Sequence, residues 1–179
     1  FEALGSLIQA LKKIASLELR QSTGGFEAKM LDLTEILDEA RIVLEPYCAE
    51  ADITVNWKIP EKLPYVWADR HGLLQVFLNL TKNSQRALEG AGLKRIDVSA
   101  TVEHGIVAIR VIDTGPGITS AEKLFQPLQK GAEATGLGLF LSRAFMRSFR
   151  GDLRYDPDTP GCCFVIELAV ADIAEVDRG

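Results

Sequence analysis

The 179-residue chain has little of what marks several specialised classes of protein. Three cysteines, of which Cys162 and Cys163 are adjacent, make neither a disulfide framework nor a spaced set of metal ligands. Its 20 lysines and arginines are outnumbered by 25 acidic residues and are scattered, so the basic footprint of a nucleic-acid-binding protein is missing. We therefore expect reduced thiols and no nucleic-acid partner.

Membrane and secretion signals are also missing from the sequence. No uninterrupted apolar run reaches about 18 residues, the length that spans a bilayer. Residues 1–15 lack the basic start and the small-residue cleavage site of a signal peptide. We expect a cytoplasmic location for this chain, which leaves open a membrane anchor elsewhere in a longer parent protein.

The composition is that of a folded globular protein, with 47% hydrophobic and 25% charged residues. The length suits one ordinary domain with a short appended element. Residues 1–25 are predicted to form that element, because Leu4, Leu7, Leu11 and Ile14 follow the steps of an apolar helical seam. The seam fits a plain amphipathic helix and a dimerisation stem equally well.

Residues 30–172 are predicted to form the main domain. Asp32 and Asp69 are expected to cap two helices, and a third helix is expected from about Leu137 to Phe149. Alternating apolar residues predict strands around 53–57, 96–102, 106–112, 153–155 and 163–170, the second and third joined as a hairpin. This order predicts an α+β fold, a two-layer sandwich whose mostly antiparallel sheet carries its helices on one face.

The helix after Asp69 carries a polar face as well as an apolar one. Gln75, Asn79, Asn83 and Arg86 lie on that face, since residues three and four apart stack on a helix. A solvated face is the ordinary explanation of such a stripe. Amide oxygens, however, are also ligands that a hard cation accepts beside phosphates and water.

A carboxylate stands at the end of the strand that reaches Ile112. Asp113 begins the segment Asp-Thr-Gly-Pro-Gly-Ile, in which Gly115 and Gly117 would let a flat ring come close while Asp113 accepts a bond from its amine. A simple tight turn explains the same residues.

Glycines open the third predicted helix directly, in Thr135-Gly136-Leu137-Gly138. Backbone N–H groups at a helix start favour anions, so phosphates can bind there. The sequence contains no P-loop, and no strand leads into this segment as a dinucleotide fingerprint requires. A nucleotide site of another type is indicated.

The three elements, in this order, resemble the N, G1 and G2 boxes of the GHKL superfamily of ATP-binding domains. That superfamily contains sensor histidine kinases, gyrase-type and mismatch-repair ATPases and the heat-shock 90 chaperones. The resemblance covers about residues 30–170 and implies the ATP-binding Bergerat fold. It also includes Leu124-Phe125-Gln126-Pro127, which resembles the phenylalanine box.

The resemblance implies a role for each matching residue. Asn83 matches the asparagine that coordinates Mg²⁺, Asp113 the aspartate that bonds the adenine amine, and Lys130 a lid lysine near the γ-phosphate. Arg86 matches a basic phosphate contact. The other positions implied to contact ATP are Gly115, Gly117, Ile118, Thr135, Gly136, Leu137 and Gly138. Ala134 departs from the pattern, which usually has a glycine there, so the mobility of the lid is in question.

Asn79 indicates which branch of the superfamily the chain resembles. The ATPases commonly have a glutamate at this position to activate water, and an amide cannot act as a general base. Histidine kinases usually have asparagine, so the resemblance implies a catalytic role for Asn79 in transfer of the γ-phosphoryl group of ATP to a histidine. It also implies that residues 1–25 are the tail of the dimerisation and histidine-phosphotransfer helix. The partners that it implies are an acceptor-histidine helix bundle of the same parent protein, a response-regulator receiver domain and a second copy in a homodimer.

The acceptor histidine is expected outside this chain. His71 and His104 are both followed by glycine rather than by the acidic residue typical of an acceptor, and His104 lies in the predicted hairpin turn. Two alternatives remain open. One is a degenerate domain that acts by docking to partners, and the other is a slow ATPase gated by dimerisation.

Overall fold

The computed structural model describes residues 28–127 and 137–171. The predicted helix within residues 1–25 lies outside them. Three α-helices are described, α1 (Leu33–Ala49), α2 (Arg70–Ala87) and α3 (Gly138–Ser148), and a single 3₁₀ turn spans Ala121–Lys123. The strands are β1 (Lys29–Asp32), β2 (Thr54–Lys58), β3 (Tyr65–Ala68), β4 (Arg95–Glu103), β5 (Ile106–Asp113), β6 (Asp152–Asp156) and β7 (Cys162–Ala169).

The predicted caps of the first two helices are confirmed. Asp32 accepts a hydrogen bond from the backbone N–H of Thr34 over 2.9 Å, and Asp69 accepts one from the N–H of Gly72 over 2.8 Å. Each carboxylate satisfies a donor that has no partner within its own helix. These two caps fix where α1 and α2 begin.

Five strands form the main sheet, in the order β2-β4-β5-β7-β6. The pair β2–β4 is parallel and the other pairs are antiparallel. The hairpin between β4 and β5 turns at His104 and Gly105, which both have positive φ, as the two-residue turn of a hairpin requires. Helices cover one face of this sheet, and the apolar residues between helices and sheet form the core. The predicted two-layer α+β fold is therefore confirmed.

A second, two-stranded sheet was not predicted. In it β1 pairs with β3 in antiparallel register, from Lys29 opposite Ala68 to Asp32 opposite Tyr65. This pairing joins the chain before α1 to the chain before α2, and because the strands are antiparallel, the two helices leave from opposite ends of this short sheet. In the part of the chain that the structure describes, no helix is long and apolar enough to cross a membrane.

Candidate nucleotide-binding site

Asp113 is the last residue of β5, and its carboxylate faces the helices. Its side chain is buried, with 3% of its surface exposed. One carboxylate oxygen, Oδ1, accepts a hydrogen bond from the N–H of Gly115 over 2.9 Å, and Oδ2 accepts one from the hydroxyl of Ser84 over 2.7 Å. Burial raises the pKa of Asp113 above its ordinary value, and the bonds from Ser84 and Gly115 act in the opposite direction. The site thus holds a carboxylate that neutral donors stabilise.

The turn after Asp113 leaves room that a side chain would fill. A Cβ atom on Gly115 would lie 2.8 Å from Oδ1 of Asp113, and Gly117 has a φ of +76°. At Gly117 a Cβ would also come within 2.9 Å of the carbonyl oxygen of Gly161. Only glycine therefore fits both positions without displacement of the backbone or of the carboxylate. Ile118 packs against the core beyond the turn.

The polar face of α2 lies beside this turn. Asn79 is held at both ends of its amide: its nitrogen donates to the hydroxyl of Ser142 on α3 over 3.0 Å, and its oxygen accepts from Gln75 over 3.2 Å. The partly buried Asn83 has no side-chain hydrogen bond to any of the described residues. Its amide is therefore available to a ligand. Arg86 is exposed in the last turn of α2.

The N-terminus of α3 differs from those of the other two helices. Leu137 occupies the cap position and Gly138 is the first helical residue, and within residues 28–127 and 137–171 no side chain caps the N–H groups that follow. Uncapped N–H groups at a helix start concentrate positive potential and can bind an anion. The start of α3 is therefore open to phosphate oxygens.

Phe125 connects the segment before residue 128 to α3. The guanidinium of Arg143 lies 4.5 Å from the centroid of the Phe125 ring, a cation–π contact. The same ring meets Phe164 edge-on at 6.4 Å between centroids. Arg143 also forms an ion pair with Asp152 over 3.1 Å. These contacts link the residues that resemble the phenylalanine box to α3, β6 and β7.

Not every predicted site residue falls within the described chain. Lys130, Thr135 and Gly136 lie outside it, as does the departure at Ala134. The structure brings the C-terminal half of α2, with Asn83, beside the Asp113 turn, and it ties Asn79 to α3.

Three residues of the site were not predicted: Ser84, Ser142 and Arg143. The sequence could have indicated Ser84, because it falls in the apolar stripe of α2, seven residues after Phe77. A polar residue in such a stripe needs a buried partner.

The side chains at the candidate site could hold a magnesium ion only together with the phosphates of a nucleotide. Among the residues described, no group of three or more His, Cys, Asp or Glu side chains could hold a metal ion. Mg²⁺ keeps several waters and is commonly bound through few protein oxygens plus phosphates. An open amide at Asn83 beside a helix start that suits phosphate agrees with that mode of binding.

Neither described histidine belongs to the site. His71 lies in the first turn of α2, at the rim of a groove of about 140 Å³ between α1 and α2. It is about 18 Å along the helix from Asn83, at 1.5 Å per residue. His104 is exposed in the β4–β5 turn.

Comparison with known proteins finds a sensory kinase and a transport sensor protein among the relatives of this chain. The chain is 30% identical over 158 residues to the adaptive-response sensory kinase SasA of Synechococcus sp. (strain CC9311), an alignment that covers 81% of this chain and 40% of that protein. It is 32% identical over 146 residues to the C4-dicarboxylate transport sensor protein DctS of Rhodobacter capsulatus, covering 78% of this chain and 22% of that protein. The chain thus spans less than half the length of these relatives.

A solved structure and a family model agree with the sequence relatives. The catalytic domain of histidine kinase ThkA superposes with a TM-score of 0.67 at 26% identity, covering 80% of this chain and 96% of that one. Residues 68–172 match the model of the family described as histidine kinase-, DNA gyrase B- and HSP90-like ATPase. This match includes α2, the Asp113 turn and α3, and it shows that the chain belongs to that family.

Proposed function

We propose that this chain is the ATP-binding catalytic domain of a two-component sensor histidine kinase, and that it transfers the γ-phosphoryl group of ATP to a histidine outside residues 1–179. The carboxylate of Asp113 is the observation that carries the proposal. It is buried, its recorded partners Ser84 and Gly115 are neutral donors, and glycines keep the space beside it open. A buried acceptor with lone pairs to spare matches the exocyclic amine of adenine.

The phosphates would bind between α2 and α3. Asn83 would provide an amide oxygen for magnesium, and the uncapped start of α3 at Gly138 would donate N–H groups to phosphate oxygens. Arg86, Lys130, Thr135 and Gly136 are proposed to complete the phosphate contacts, and Gly117, Ile118 and Leu137 to line the nucleotide. A bound magnesium ion would neutralise charge on the phosphate oxygens.

The residues of this chain would act mainly by positioning. Asn79, fixed by Gln75 and Ser142, is an amide and cannot deprotonate a water molecule. An imidazole nitrogen already has a lone pair: as its bond to phosphorus forms, the bond from phosphorus to the ADP oxygen breaks. This chemistry needs no general base of the kind that hydrolysis uses, which favours a kinase over an ATPase.

The partners follow from the same proposal. An acceptor-histidine helix bundle of the parent protein would receive the phosphoryl group, and a receiver domain of a response regulator would take it on. The parent protein would act as a homodimer. A cytoplasmic location is part of the proposal, and the three free, buried cysteines agree with it.

Phosphotransfer in trans tests the proposal. The chain is incubated with ATP labelled at the γ-phosphate, alone and with a separately produced bundle of the parent protein that contains the acceptor histidine. We expect acid-labile label on the bundle and none on the chain. ADP formation without any phosphoprotein would indicate an ATPase instead. Label on His71 or His104 would place the acceptor within this chain and contradict the proposal.

A further inference from the structure

Ser84 joins the two halves of the candidate site. It follows Asn83 directly on α2, and its hydroxyl donates to Oδ2 of Asp113 across 2.7 Å. Both side chains are buried, Ser84 with 4% of its surface exposed and Asp113 with 3%. The residue beside the proposed magnesium ligand therefore holds the carboxylate proposed to recognise adenine.

The direction of this hydroxyl differs from that of its neighbour on the same helix. Thr81, also buried, donates to the carbonyl oxygen of Phe77 four residues earlier, over 2.9 Å. This is the usual local partner for a hydroxyl inside a helix. Ser84 instead donates to a strand residue 29 positions away in the sequence. Its hydroxyl therefore serves the tertiary contact with β5 and not its own helix.

Few other groups could stabilise the carboxylate. Besides burial, the groups that act on the pKa of Asp113 are the hydroxyl of Ser84 and the N–H of Gly115, and both lower it. From β7, Cys162 lies opposite Asp113 in the strand register, and burial with the nearby Asp113 raises the pKa of this thiol to about 12. Cys162 is thus uncharged at neutral pH. Without Ser84 the buried carboxylate would keep only the bond from the N–H of Gly115.

Such a carboxylate would be poorly suited to recognise an amine. A buried anion that loses a donor is destabilised, so it takes up a proton more readily or turns toward other donors. Either change removes the fixed acceptor that the exocyclic amine needs. The bonds at Oδ1 and Oδ2 together set the plane of the carboxylate and leave its remaining lone pairs directed elsewhere.

We propose that Ser84 is a positioning residue for adenine recognition: it holds Asp113 ionised and oriented, so that the carboxylate accepts a hydrogen bond from the exocyclic amine. This inference rests on the proposed function. It assigns the preference for adenine over other nucleobases to the pair Ser84 and Asp113, and not to Asp113 alone.

The test compares ATP with the triphosphate of unsubstituted purine riboside, which lacks the amine. We expect Ser84→Ala to weaken ATP binding by about tenfold, the size of effect for one bond to a charged group, and to change the affinity of the analogue by less than about twofold. Ser84→Thr, which keeps a hydroxyl, should restore most of the preference for ATP. Thr81→Val is the matched control, since it removes a buried hydroxyl that bonds within α2, and it should leave the ATP-to-analogue ratio unchanged.

A pH series adds a readout that a merely structural role would not change. Because the bond from Ser84 favours the ionised form of Asp113, the loss of ATP affinity at acid pH should begin at a higher pH in Ser84→Ala than in the wild type. Thermal melts of each variant check that it folds.

Three outcomes would overturn the inference. In the first, Ser84→Ala binds ATP as tightly as the wild type does; in the second, it binds both ligands more weakly by the same factor, which would make the bond structural only. If the wild type itself bound both ligands equally, adenine recognition by Asp113 would fail as well, and this result is distinct because it appears before any substitution.

Discussion

The amide nitrogen of Asn79 donates to the hydroxyl of Ser142 over 3.0 Å and so joins α2 to α3. Ser142 is buried, with 3% of its surface exposed. The bond connects the helix proposed to hold magnesium to the helix whose start is proposed to hold phosphate. The relative position of these two helices should therefore depend on it.

We expect Ser142→Ala to lower phosphotransfer at saturating ATP several-fold and to lower the free energy of unfolding by about 1 kcal/mol, the usual net value of one hydrogen bond. Ser148→Ala is the matched control, because the hydroxyl of Ser148 bonds to the carbonyl of Phe145 within α3. Labelled transfer and thermal unfolding are measured on both variants. Equal transfer rates in the two variants would show that the Asn79–Ser142 bond has no part in positioning.

Asn83→Ala should separate phosphate chemistry from base recognition. Its amide is proposed to contact the metal and not the adenine ring, so phosphotransfer should fall by at least tenfold while adenosine affinity changes by less than about twofold. Asn56→Ala, an exposed asparagine on β2 that bonds to Asp97, serves as the control. Parallel losses in adenosine binding and transfer would mean that Asn83 is needed only for structure.

Removing both histidines should leave phosphotransfer intact. The double variant His71→Gln and His104→Asn takes away every imidazole of the chain, and asparagine tolerates the positive φ of residue 104. Transfer to the separate acceptor bundle should stay within about twofold of the wild type. A variant that no longer transfers, although it folds and binds ATP, would contradict an acceptor outside the chain.

The ion pairs at Asp152 predict a pH dependence of stability. Burial acts to raise the pKa of Asp152, but hydrogen bonds from Arg147, Arg143 and the N–H of Leu153 outweigh it and hold the pKa below its ordinary value. The folded state thus binds this proton less readily than the unfolded state does. The stabilisation is present above the unfolded pKa of about 4 and is lost as the pH falls below it.

Asp152→Asn should therefore cost about 1 kcal/mol at pH 7, and the difference from the wild type should shrink below about pH 4. Urea unfolding at pH 7, 5 and 3 measures it. Asp38→Asn, at an exposed position of α1, controls for the loss of one charge. A difference that stayed constant from pH 7 to pH 3 would show that the carboxylate's charge does not stabilise the fold.

The elements that the sequence predicts are those fixed by local interactions. Asp32 and Asp69 bond to N–H groups two and three residues away, and the β4–β5 hairpin is closed by the adjacent residues His104 and Gly105. Such signals are complete within a few residues. The pairing of β1 with β3 was missed because each strand has only four residues, too few to show a period of two.

Site contacts between distant parts of the chain were harder to predict. The bond from Ser84 to Asp113 spans 29 positions, and that from Asn79 to Ser142 spans 63. Motif spacing predicts Asp113 and Asn83 as site residues, but it does not indicate which neutral donors surround them. Those donors depend on how α2, α3 and β5 pack together.

Calorimetric titration of the wild type and of Asp113→Asn, each with ATP and with GTP, tests most directly whether the chain holds ATP through Asp113. Guanine has a carbonyl where adenine has its amine, and a carboxylate cannot accept a hydrogen bond from a carbonyl. We predict that the wild type prefers ATP and that Asp113→Asn weakens ATP binding by about 1.5–3 kcal/mol. Equal affinity of the wild type for ATP and GTP would contradict the account.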